Sequence, residues 1–199
     1  MENVKKRRAY DRTLRTKMAA ENEARILMEA ERLFSTQAFD RVTLAAVAEA
    51  AGVTIPTLQR RFGNKEGLVA AWGAIIAARM EAQRGTPPVG SVGACIRELV
   101  DQYEREGALM WHLLRQESDV PLLQGLLARG RAKHRQWVKT VFSEAIAHLD
   151  ARKRRARVDA LVAVTDVFVW KLLRIDLRRG RAEVEALVNT MAESLARRA

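Results

Sequence analysis

Residues 43–65, TLAAVAEAAGVTIPTLQRRFGNK, leave the chain little freedom of local fold. Leu44, Val47, Ala48 and Ala51 fall at helical spacing and make one short amphipathic helix. Thr43 stands just before it, where a hydroxyl accepts a bond from a free first-turn N–H. Gly52 ends it, where a left-handed backbone angle is tolerated. Val53 follows as an apolar plug, and Thr54 is an N-cap for a second helix with Pro56 in its first turn. Proline loses no intrahelical bond at that position. Leu58 and Phe62, four apart, give the second helix its inner face. Ile55, Thr57, Gln59, Arg60 and Arg61 lie on or near the outer one.

Two short helices across a glycine corner predict a helix-turn-helix. A helix of this kind fits the major groove, its N-terminal side chains touch base edges, and flanking cations and helix N-termini hold phosphates. Between Thr54 and Lys65 the basic residues are Arg60, Arg61 and Lys65, with no acidic one, so the face suits a polyanion.

The spacing resembles the TetR family of bacterial transcriptional regulators over roughly residues 22–70. The matching residues are Leu33-Phe34, Thr43, Val47-Ala48, Ala51-Gly52-Val53-Thr54, Thr57-Leu58-Gln59-Arg60-Arg61-Phe62 and Lys65-Glu66-Gly67-Leu68. Gln59 stands where the family usually has Tyr, and Arg61 where it has His. The resemblance implies an all-α homodimer that binds a palindromic operator in double-stranded DNA and answers to a small-molecule effector. Base contact is expected from Ile55, Pro56, Thr57 and Arg60, and backbone contact from Thr43, Thr54, Gln59, Arg61 and Lys65. Rival readings are a regulator without a small effector, answering to a protein partner, and a basic helical protein that adheres to RNA or anionic membranes.

The net charge of +11 does not by itself choose among these, because it is spread. Residues 1–17 hold 7 Lys/Arg against 2 Asp/Glu and read as a mobile basic arm ahead of the DNA-binding unit. DARKRRAR at 150–157 reads as a solvated connection. The longest apolar run, Leu161–Trp170, is interrupted by Asp166 and is too short to span a bilayer. No apolar core follows the basic N-terminus, and Cys95 is a lone thiol, so a cytoplasmic protein is expected.

Periodicity predicts about nine helices, with the first from about Ala19 to Thr36 and the fourth from about Lys65 to Arg84. Then come one through Tyr103, a shorter one around Ala108–Gln116, a long one from Pro121 to about Leu149, and a last pair at about Val158–Arg178 and Arg181–Arg197. Residues 1–63 are expected to form the DNA-binding domain and 64–199 the effector-binding and dimerisation domain, with a loop at GTPPVG, 85–90. In the second domain Tyr103, Met110, Trp111, Leu114, Trp137, Val141, Phe168 and Trp170 are candidates to line a hydrophobic effector pocket, as the resemblance implies. Arg115, His134, Gln136 and Asp166 are candidates for its polar groups. The last two helices offer Val158, Leu161, Val169, Leu172, Val184, Leu187, Val188 and Met191 for a four-helix dimer interface. His112, His134 and His148 have no metal-ligand spacing, and no nucleophile elbow, phosphate loop or dinucleotide fingerprint occurs. Neither enzyme, metal nor cofactor is expected.

Overall fold

The computed structural model describes residues 2–84 and 91–197; it is all-α, without a strand among those residues. In chain order come α1 (Glu2–Thr36), a 3₁₀ turn (Phe39–Arg41), α2 (Leu44–Ala50), α3 (Ile55–Phe62) and α4 (Lys65–Arg84). Then follow α5 (Val92–Leu114), α6 (Pro121–Val141), α7 (Ser143–Ala147), α8 (Ala151–Val164), α9 (Val167–Lys171), a π-helical turn (Leu172–Asp176) and α10 (Arg181–Ala196). The chain divides into two compact units, Met1–Ile75 and Ile76–Ala199, and the division falls inside α4. The loop expected at 85–90 lies outside the described residues.

The first unit is built on α1. Ile26, Leu27, Ala30, Leu33 and Phe34 are buried on it, and Phe34 stacks on Phe39 at 4.6 Å and meets Trp72 of α4 at 5.0 Å. Leu68, Val69 and Trp72 carry the first half of α4 into this core, and the indole N–H of Trp72 donates to Glu31 at 3.3 Å. Helix α1 packs on α2, and α2 on α3. α1 begins at Glu2, not near Ala19 as expected from reading 1–17 as a tail. That stretch lacks Gly and Pro and is rich in Lys and Arg, whose side chains lose little freedom in a helix.

The second unit closes around Ile96, Leu99, Val100 and Tyr103 of α5, Val138 of α6, Val158 and Leu161 of α8, Val167 and Trp170 of α9, and Val184, Val188 and Ala192 of α10. α5 packs on α9 and α10, and α8 on α6 and α10. Three divisions differ from the periodic reading. The region 92–114 is one helix rather than two, because its polar middle is used: Glu104 accepts from Trp170 and Arg174, and Glu106 pairs with Arg79 at 2.8 Å. The long helix expected over 121–149 breaks at Phe142, which is buried there. The one expected over 158–178 breaks at Asp166, whose carboxylate caps α9 through the Phe168 N–H at 3.0 Å.

Candidate nucleic-acid interface

The corner between α2 and α3 is set by four local devices. Thr43 accepts the Ala46 N–H at 3.1 Å and starts α2. At its far end Val53 N–H donates to Ala48 C=O at 2.9 Å and Gly52 N–H to Glu49 C=O at 3.1 Å. Those two bonds satisfy carbonyls that the helix end leaves open, with Gly52 left-handed at φ 62°. Thr54 then caps α3 through the Thr57 N–H at 3.4 Å, and the two threonine hydroxyls lie 2.9 Å apart. Gly63, at φ 76°, ends α3 and turns the chain into α4.

Within α3, Leu58 is fully buried and Phe62 half-buried, so the helix has one inward side. Ile55, Pro56, Gln59, Arg60 and Arg61 are exposed, and Thr57 is half-buried beside its capping partner. Ile55, 41% exposed in the first turn, is an apolar group on an otherwise polar face. Arg60 and Arg61 stand in the last turn, where a cation also complements the helix dipole.

Not every candidate cation is equally available. Arg61 reaches across to α1 and pairs with Glu23 at 2.5 Å, and that partner raises the guanidinium pKa, its hydrogen bond contributing most. Glu23 lies 38 residues away, and no sequence pattern pointed to it. Lys65 turns inward: its ammonium donates to the Phe39 C=O at 2.6 Å and sits 4.8 Å from the centre of the Phe39 ring. Burial pushes that ammonium below the usual lysine range, against the opposing pull of Asp40 and Glu66. Lys65 therefore braces the 3₁₀ turn onto α4. Lys65→Met is expected to lower stability by about 1.5–3 kcal/mol, the worth of a charged hydrogen bond. Thermal unfolding would register it, while the salt dependence of any DNA binding stays as in the parent.

The groups expected to line an effector pocket are largely engaged with one another. Tyr103 is buried and its hydroxyl donates to the Thr165 C=O at 2.9 Å; Trp170 is buried and its N–H donates to Glu104 at 2.8 Å. Met110, Leu114, Trp137 and Val141 pack against the core of the second unit. Phe168, by contrast, is 52% exposed and meets the half-buried Trp111 edge-on at 5.5 Å. Of the polar candidates, His134 stacks on Trp137 and lies 3.0 Å from the Thr165 hydroxyl, and burial raises the Asp166 carboxyl above its usual range. Arg115 and Gln136 are exposed.

The dimer candidates divide in the same way. Val158, Leu161, Val184 and Val188 are consumed by the core of their own unit, at 0–3% exposure, while Val169 and Met191 are half-buried against it. Leu172 and Leu187 remain outside, and with them Ile175 and Leu177, which the periodic reading had not singled out. Periodicity finds both apolar sides of a helix hairpin but not which one the unit itself covers.

Residues 26–72 match the family described as bacterial regulatory proteins, tetR family. No curated protein sequence matches the chain. Among solved structures, a transcriptional regulator from Rhodococcus sp. Rha1 superposes with a TM-score of 0.66 at 14% identity, over 87% of this chain and 95% of that one. A TetR transcriptional regulator from Rhodococcus sp. RHA1 does so with a TM-score of 0.51 at 21% identity, over 87% and 96%. At such identities the likeness concerns the fold. The match over 26–72 spans the corner, the reading helix and the brace behind them, so over this N-terminal unit the chain is similar to the tetR family of bacterial regulatory proteins.

Proposed function

We propose that this chain is a TetR-family transcriptional regulator, a homodimeric repressor that reads a palindromic operator with α3 and is released from it by a small-molecule effector held in the second unit. The observation that carries the DNA-reading part is the outer side of α3. Ile55, Pro56, Gln59 and Arg60 stand exposed there with no acidic neighbour on the helix, while Leu58 anchors the opposite side. Self-association is supported by Leu172, Ile175, Leu177 and Leu187, each 42–54% exposed on elements that pack together. Two reading helices held about 34 Å apart meet successive major grooves on one side of a duplex. An effector acts by preferring the dimer geometry in which that spacing is wrong; equal affinity for both geometries shifts nothing.

Selection from a pool of random duplexes with the full chain tests the reading. The expected product is an inverted repeat, and failure to enrich any duplex would overturn it. With the selected site, Arg61→Ala is expected to weaken specific and random DNA alike and to flatten the salt dependence by roughly one phosphate contact, about 0.9 in log–log slope. Thr57→Ala is expected to change the preferred sequence instead. Glu23→Gln, which releases Arg61 from its present partner, is expected to tighten both kinds of binding severalfold.

A further inference from the structure

Helices α6, α7 and α8 border a surface cavity of about 420 Å³. Its floor is apolar, formed by Ile146 and Val158, and its rim carries Arg135, Lys139, Arg154 and Arg155. We propose that this groove binds a small anionic amphiphile, a carboxylate or phosphate headgroup carrying a short aliphatic body. The site is separate from the aromatic interior around Tyr103 and Trp170, and its test does not depend on what α3 reads.

The rim carries more positive charge than the chain neutralises. Asp159 is the carboxylate that touches it, 2.5 Å from Arg135 and 4.0 Å from Arg155. That contact also shows two guanidiniums of the rim converging on one carboxylate. Arg154 is held differently: it donates to the carbonyls of Ile146, Ala147 and Leu149, at 3.0–3.1 Å, where α7 ends. None of those partners bears a charge, so Arg154 is a fixed cation, already ordered before any ligand arrives. Lys139 is exposed and has no partner among the described contacts. A second anion can therefore be received without displacing Asp159.

The floor decides which anion. Ile146 and Val158 belong to the core of the unit, yet their outer atoms line the groove, so part of the surface offered to a ligand is hydrocarbon. A phosphate of a nucleic-acid backbone gains nothing from that floor. A ligand with an alkyl body removes it from water, and ligand pockets of about 300–1,000 Å³ with a few placed polar groups are the usual size for such molecules. In sequence Arg154 and Arg155 read as part of a solvated connection; α8 begins at Ala151 and brings them onto one side of a groove shared with α6.

Calorimetric titration of the full chain, below the micelle concentration of each probe, tests the proposal with octanoate, octyl phosphate, inorganic phosphate and 1-octanol. Octanoate or octyl phosphate is expected to bind at one site per chain, and comparing the two tells carboxylate from phosphate preference. Inorganic phosphate and 1-octanol are each expected to bind at least tenfold more weakly. The double variant Lys139→Gln/Arg155→Gln changes exposed side chains only and is expected to lose at least tenfold in affinity for the charged amphiphile, with an unchanged melting temperature. Unaltered affinity in that variant overturns the site. Octanol binding as tightly as octanoate overturns its charge requirement, and a short duplex displacing octanoate would make it a nucleic-acid patch instead.

Discussion

Placing glutamates at Leu172 and Leu187 together is expected to convert the protein to a monomer and to lower its operator affinity by two orders of magnitude or more. Both leucines are close to half exposed, at 48% and 42%, so neither change opens a cavity in the unit that carries it. In a two-fold interface each substitution appears twice, and a carboxylate without a partner is a costly thing to bury. The DNA effect follows from geometry. Once one half-site is engaged, the second is reached at the high effective concentration that a tethered partner provides, and joining two modules raises avidity by about 10²–10⁴ over either alone. A monomer forfeits that factor while keeping α3 and its caps intact. Sedimentation velocity with fluorescence anisotropy on the selected duplex checks both halves of the expectation. A variant that stays dimeric would move the interface away from these leucines, and one that becomes monomeric yet binds as before would remove the need for paired half-sites.

What was legible beforehand was what local chemistry decides. Thr43, Thr54 and Gly52 each perform the role their position implied, since a cap or a left-handed corner depends on residues within four of it. The buried stripe of α1 was equally readable, because Ile26, Leu27, Ala30, Leu33 and Phe34 have a single partner side to face. Choices made by distant partners were not. Glu23 meets Arg61 across 38 residues, and Lys65, a phosphate candidate by sequence, is claimed by the Phe39 carbonyl 26 residues earlier. The hairpin of α8–α10 shows the same limit. Val184 and Leu187 are both good apolar positions on one helix, yet the first is fully buried and the second is not. Only the placement of α5 and α8 around α10 separates them.

The middle of α5 makes the point most sharply, and it carries a second large expected effect. EREG at 104–107 reads as a break, partly because glycine weakens a helix interior by about 1 kcal/mol relative to alanine. Gly107 is nevertheless helical and buried, and the reason is Trp170: a Cβ built on it would lie 2.4 and 2.6 Å from two carbons of the indole ring. The ring has little room to retreat, being 5% exposed, bonded to Glu104 through its N–H and placed 6.1 Å from the Tyr103 ring. Substituting alanine here is therefore expected to destabilise by about 2 kcal/mol despite its better propensity, and valine by about 3, as overpacking of a filled core does. Against a total stability of about 5–15 kcal/mol, either is a large fraction. Urea unfolding followed by CD reads the loss. Pairing Gly107→Ala with Trp170→Phe should return part of it, because the smaller ring vacates the space the methyl needs, and the non-additivity of that cycle isolates the contact. An alanine variant more stable than the parent, or a cycle that adds without coupling, would mean that the indole yields freely and that the glycine holds its place for another reason.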